Sequence, residues 1–110
     1  MFVEKREVER VKTSLPINWG DTKMCILSGE VTSLSVKGCF VKTEFEAFAP
    51  QLIFINYQLK NSKWILLEGE IIYHLEKIGF GVRFKDLTYE HNLILRRLVE
   101  TAKQATPNLH

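Results

Sequence analysis

Apolar and polar residues alternate with a period of two through most of this chain, and with a period near 3.6 only towards its end. Leu15, Ile17 and Trp19 carry the first alternation, and Pro16 among them restricts that strand to a sheet edge or a bulge. Gly20-Asp21 reads as a turn. A second strand is expected from Cys25 to Val31, with Gly29 as a bend or bulge, and the hydroxyl-rich stretch Thr32 to Gly38 links it to a third strand from Cys39 to Thr43. After a connection from Phe45 to Pro50, Leu52 to Leu59 makes a fourth strand, with Ile53, Ile55, Tyr57 and Leu59 on one face. Lys60-Asn61-Ser62-Lys63 is a hairpin signal before a long fifth strand, Trp64 to Leu75, interrupted by Gly69. Glu76 to Gly79 turns the chain into a sixth strand, where Phe80, Val82 and Phe84 share a face.

The period changes at Lys85. Thr88 is placed as an N-cap with Glu90 in the first turn, and Leu95, Leu98, Val99 and Ala102 recur at helical spacing until Pro107 ends any helix. Six short strands and one amphipathic helix predict an all-β-dominated fold, a small antiparallel barrel or sandwich with the helix laid over one end or face. Gly29 and Gly69 suit strands bent enough to close. The expected organisation is one domain over 1–110: an N-terminal arm at 1–12, the β-barrel at 13–85 and the C-terminal helix at 88–105.

Composition narrows the function. A formal net charge of only +2 is no global polyanion signal, so any basic site must be local. Trp19, Trp64 and the seven phenylalanines invite a base-stacking surface for single-stranded nucleic acid, but their alternation favours core packing, and no nucleic-acid polymer is expected as a partner. Cys25 and Cys39 are read as buried free thiols, and the three histidines show no metal-ligand spacing. There is no nucleophile triad and no phosphate loop of the GxxxxGK type, so the expectation is a binding module with no catalytic residues, no metal and no cofactor. No apolar run approaches the ~18 residues of a membrane span, and the start lacks a signal peptide's apolar stretch. No membrane insertion is expected, and the default location is cytoplasmic.

Two clusters remain unabsorbed by this plan. Arg6 and Arg10 stand four residues apart in the charge-dense arm, on one side whether the arm is a helix or a strand. Ser33, Ser35 and Gly38 lie in the link between the second and third strands. A guanidinium fork grips a phosphate bidentately, pairs with the O6/N7 edge of guanine or stacks on a purine. A hydroxyl-rich turn supplies short donors, and a glycine permits an unusual backbone conformation or a close approach. Arginine forks beside such a turn suit a small ligand bearing phosphate and guanine. The alternative is a solvated ladder in which the arginines pair with Glu4, Glu7 or Glu9.

In order along the chain, Arg6-Glu7-Val8-Glu9-Arg10, then Ser33-Leu34-Ser35-Val36-Lys37-Gly38, then Gly79-Phe80-Gly81-Val82-Arg83-Phe84 and the helix resemble the PilZ domain family, the bacterial receptor module for cyclic di-GMP. That family's pattern is RxxxR, then [D/N]xSxxG, a GxGVxF strand and a C-terminal helix, and the resemblance covers roughly Lys5 to Ala102. It implies a six-stranded antiparallel PilZ-type β-barrel with a C-terminal α-helix. It implies cyclic di-GMP as ligand, held by Arg6, Arg10, Ser33, Ser35 and Gly38, with Lys5 as a possible peripheral contact. It further implies a relay through movement of the arm to a protein partner in motility, secretion or polysaccharide synthesis. One position departs: Ser33 stands where the family has Asp or Asn, the residue associated with a guanine edge. Serine offers one hydroxyl without that reach. Some members of the family lack the binding residues and act only as protein-interaction modules, which makes a ligand-independent adaptor the alternative implied function.

Overall fold

The computed structural model describes residues 8–105. Its elements are β1 (Val11–Gly20), β2 (Leu27–Leu34), β3 (Gly38–Lys42), β4 (Gln51–Gln58), β5 (Trp64–Leu75), β6 (Gly79–Lys85) and the helix α1 (Tyr89–Ala105). The strands pair antiparallel and close into a barrel in the order β1-β2-β3-β6-β5-β4. Closure removes the free edges that a small open sheet would expose. The β1–β4 seam is short: it runs from Asn18 opposite Asn56 to Gly20 opposite Phe54. Pro16 lies opposite Glu30 on the stretch of β1 that β4 does not reach, close to an irregularity in the β1–β2 ladder between Lys12 and Leu15.

Alternation along each strand fills the barrel. Ile17, Trp19, Val31, Val41, Ile53, Ile55, Ile71, Phe80 and Val82 are all buried, and the edge of Trp19 meets Phe80 with ring centroids 4.7 Å apart. The aromatic residues divide. Trp19, Phe80 and Phe84 are core, whereas Trp64, Phe45 and Phe48 are exposed at the surface. Gly29 and Gly69 are crowded by side chains of neighbouring strands. A methyl group at Gly69 would meet Val82 Cγ1 at 2.4 Å, and one at Gly29 would meet Val41 Cγ1 at 3.0 Å.

The helix closes one end. Leu95 and Val99 are buried, and Ile94, Leu98 and Ala102 pack against the same core. Thr88 caps α1 reciprocally with His91: the His91 N–H donates to Thr88 Oγ1 at 3.0 Å, and the Thr88 N–H donates to His91 Nδ1 at 3.1 Å. This is a capping box with an imidazole in the place usually held by Glu or Gln. The β2–β3 turn, the β4–β5 hairpin and the start of α1 gather at this end. The β1–β2 loop, the β3–β4 connection and the β5–β6 hairpin gather at the other.

Two expectations need correcting. Cys25 is not in a strand; it lies in the β1–β2 loop with a left-handed backbone (φ 48°), and β2 starts two residues later. The hydroxyl-rich link is also shorter than expected, because β2 continues pairing with β3 as far as Leu34, leaving Ser35–Lys37 as the turn. Both cysteines are free and buried, as read from the sequence.

Candidate functional site

The β2–β3 turn is built by one hydroxyl. Ser35 is buried, and its Oγ accepts from the N–H groups of Lys37 and Gly38 at 3.1 Å each while donating to the Gly38 carbonyl at 3.3 Å. The Ser35 N–H closes the turn onto the same carbonyl at 2.9 Å. A hydroxyl has one hydrogen and two lone pairs, so Ser35 is fully committed. This geometry makes Ser35 the cap of its own turn. Replacing Ser35 with Ala leaves two amides without their acceptor. Thermal unfolding of Ser35→Ala should show a loss of about 1–3 kcal/mol, with any loss of ligand affinity following from a disordered turn.

Gly38 has an extended backbone here, not a left-handed one, and its need for glycine comes from packing. An added methyl would lie 2.2 Å from the Val82 carbonyl oxygen on β6. Close approach therefore applies, but the approaching group is the neighbouring strand.

Ser33 faces outward because of a bulge. In the β2–β3 ladder Val31 pairs with Val41 and Ser33 with Phe40, so Thr32 is an extra residue with no partner of its own. Strict alternation would send Ser33 inward beside Val31; the extra residue turns it to the outer face and returns Leu34 to the core. Arg10, exposed just before β1, reaches it there. Arg10 Nη1 donates to Ser33 Oγ at 3.4 Å across 23 residues of sequence. The same guanidinium lies near the Cys39 thiol: burial pushes Cys39 up to about 12, while the Arg10 charge acts in the opposite direction. Cys39 is a neutral core thiol at physiological pH.

A second feature borders this contact. Ser33 pairs with Phe40, Phe40 with Gly81, and Gly81 with Tyr73, a row across β2, β3, β6 and β5. Another bulge, at Ile72, turns Tyr73 outward. Gly81 leaves room for the Tyr73 ring, which any side chain there would meet at 2.4 Å, and Tyr73 stacks on Phe40 with centroids 6.2 Å apart. The outer face therefore carries a guanidinium, a hydroxyl and a partly exposed aromatic pair in sequence. Tyr73 escaped sequence reasoning because the bulge at Ile72 shifts the face that alternation along β5 assigns to it, and Phe40 because the residues beside it lie on other strands. The glycine pair Gly79/Gly81 was the available signal, since a strand that gives up side chains makes room for something else. Arg83, one register step away opposite Gly38, is exposed and lies 3.7 Å from Glu70, as expected of an outward strand residue.

The base of the arm is tied to the helix. Glu9, next to Arg10, accepts from Lys103 Nζ at 3.1 Å, and Lys103 also lies 3.6 Å from Glu100. The hydrogen bond that Lys103 donates to Glu9, then the charge of Glu100, holds its ammonium above the ordinary range. Arg6 and Lys5 lie outside the described residues. Of the five principal site residues, the structure brings Arg10 and Ser33 into contact and sets Ser35 and Gly38 in the framework of the turn beside them. No group of three or more His, Cys, Asp or Glu side chains among the described residues is placed to hold a metal ion.

The family model described as "PilZ domain" matches residues 4–101, nearly the whole chain. The chain belongs to the PilZ domain family. Among solved structures, this PilZ domain is similar to the PilZ domain of CeSA from a cellulose-synthesizing bacterium, with TM-score 0.69, 20% identity, and coverage of 86% of this chain and 98% of that one. It is also similar to the Bacillus subtilis inhibitor of motility MotI/DgrA, with TM-score 0.75 and 12% identity, covering 96% of this chain and 54% of that one. At such identities the likeness is one of fold, and the present chain spans about half of the MotI chain. A search of curated protein sequences finds no match. The six-stranded closed barrel with one C-terminal helix is the architecture expected from the sequence. No helix among the described residues is long and apolar enough to cross a membrane.

Proposed function

We propose that this PilZ domain is a cyclic di-GMP receptor that acts in the cytoplasm, not an enzyme, and that it passes ligand binding to a protein partner through its N-terminal arm. The observation that carries this reading is the contact of Arg10 with Ser33, which joins the RxxxR and SxSxxG motifs on one outer face. Arg10, with Arg6 from the arm, grips phosphate or a guanine edge. Ser33 supplies one hydroxyl, Ser35 and Gly38 shape the turn, and Lys5 contributes at the periphery. The Phe40–Tyr73 pair offers an apolar face beside the guanidinium on which a purine can stack. Movement of the arm then acts on α1, because Glu9 and Lys103 must separate or travel together.

Isothermal titration of the folded protein with cyclic di-GMP tests the reading. Heat at micromolar ligand supports it, and a flat titration overturns it. Ser33→Asp restores a carboxylate at the family's position and should raise affinity about tenfold through one added charge-assisted hydrogen bond.

A ligand-independent adaptor is the second reading, favoured by the short side chain at Ser33 and by the internal commitment of the Ser35 hydroxyl. The partner then belongs to motility, secretion or polysaccharide synthesis. Unchanged partner binding in Arg10→Ala, together with a flat wild-type titration, would select it.

A further inference from the structure

A groove of about 560 Å³ runs between α1 and the β1/β4 side of the barrel. Glu90, Ile94, Leu98, Thr101 and Ala105 form one wall; their spacing of three and four makes a single stripe along the whole of α1. The other wall exists because the β1–β4 seam stops at Asn18 and Asn56. Beyond that point the strands part, and Leu15 of β1 and Tyr57 and Leu59 of β4 and its hairpin face the gap. The floor is therefore aliphatic, with one tyrosine.

The rim is cationic. Lys60, Lys63 and Arg97 border the groove against a single carboxylate, Glu90. Lys63 already neutralises that carboxylate at 2.8 Å. Lys60 and Arg97 have no ionic partner among the described residues. At 1.5 Å per residue the α1 stripe is about 22 Å long. An extended segment of about seven residues spans that length at 3.3 Å per residue. A concave cleft does not admit a flat bilayer, and an aliphatic floor offers little stacking surface to nucleic-acid bases.

We infer that this groove docks an extended acidic segment of a partner protein, seating its apolar side chains on Leu15, Leu59 and Leu98 and its carboxylates against Lys60 and Arg97. The inference rests on the reading that the domain works through a protein partner. The groove is a separate surface from the proposed nucleotide site, since it shares no lining residue with Arg10, Ser33, Phe40 or Tyr73.

The test is to pan a random-peptide display library against the immobilised full chain and to titrate an enriched peptide into the isotope-labelled protein. Enriched peptides should combine Asp or Glu with Leu, Ile or Phe. Their titration should shift amide resonances from Leu59 to Lys63 and from Ile94 to Ala105. The exposed double substitution Lys60→Glu/Arg97→Glu should weaken binding at least tenfold without moving the melting temperature. The inference is overturned by an absence of enrichment, by enriched peptides that are basic or uncharged, or by undiminished binding to the double variant. Shifts confined to the other end of the barrel, around Met24, Phe45, Phe48 and Ile78, overturn it too. So does self-association of the protein through α1 that excludes the peptide. A flat cyclic di-GMP titration with retained peptide binding separates failure of the nucleotide reading from failure of this one.

Discussion

Arg10→Ala should reduce cyclic di-GMP affinity by roughly ten- to a hundredfold, the loss of one or two charge-assisted hydrogen bonds. Arg10 is exposed and makes a single long bond to Ser33, so the melting temperature should hardly move. Arg10→Lys keeps the charge but not the planar fork, and it separates two kinds of grip. If the fork binds the guanine edge or a phosphate bidentately, lysine should behave almost like alanine; if only charge matters, lysine should restore most of the affinity. Titration calorimetry on the three proteins, at one salt concentration because exposed charges are screened, reads the difference. Wild-type affinity in Arg10→Ala would remove the clasp from the proposal, whatever the partner does.

Gly38→Ala should be the most destabilising single-methyl addition in the site region. Its Cβ would stand 2.2 Å from the Val82 carbonyl oxygen, 3.3 Å from the Val82 carbonyl carbon and 3.4 Å from Arg83 Cα. All three are backbone atoms of β6, so no side-chain rotation relieves the clash, and β3 and β6 must separate. A cost of about 3 kcal/mol or more follows, at or above the top of the usual overpacking range. For a domain of this size that lowers the melting temperature by roughly 10–20 °C. Lys37→Ala, at the exposed neighbouring position, is the control and should melt within a degree or two of wild type. A Gly38→Ala protein that melts normally but fails to bind nucleotide would show that the glycine serves the ligand rather than the β3–β6 ladder.

The fifth strand and the helix were legible because their signals are local. Trp64 to Leu75 is bounded by a hairpin turn and a second turn, and the observed strand has those same ends. Thr88 and the stripe through Leu95, Leu98, Val99 and Ala102 marked α1 to within a residue. The second strand was misplaced because Cys25 and Ile26 look like strand residues, yet Cys25 takes a left-handed turn conformation and Ile26 is exposed. Periodicity reads apolarity, and an apolar residue in a loop carries the same mark as one in a strand.

The family motifs point to residues that the fold brings together, and the structure adds how their atoms are used. RxxxR and SxSxxG locate Arg10 and Ser33, which do meet. The spacing alone does not reveal that the Ser35 hydroxyl is turned into its own turn, or that Gly38 is required by Val82. The second fact depends on a strand that arrives more than forty residues later in the chain.

Periodicity, turn residues and glycine placement were sufficient for the six strands, the helix and a small antiparallel barrel or sandwich, since each records which face of a segment must leave water. Which side chains share the outer face was settled only in three dimensions. The bulges at Thr32 and Ile72 arise from how β2 meets β3 and β5 meets β6, and each exchanges inside for outside along its strand. The early end of the β1–β4 seam likewise opens the groove beside α1. A residue's neighbours across a ladder are set by the partner strand's register, and no pattern within one segment contains that information.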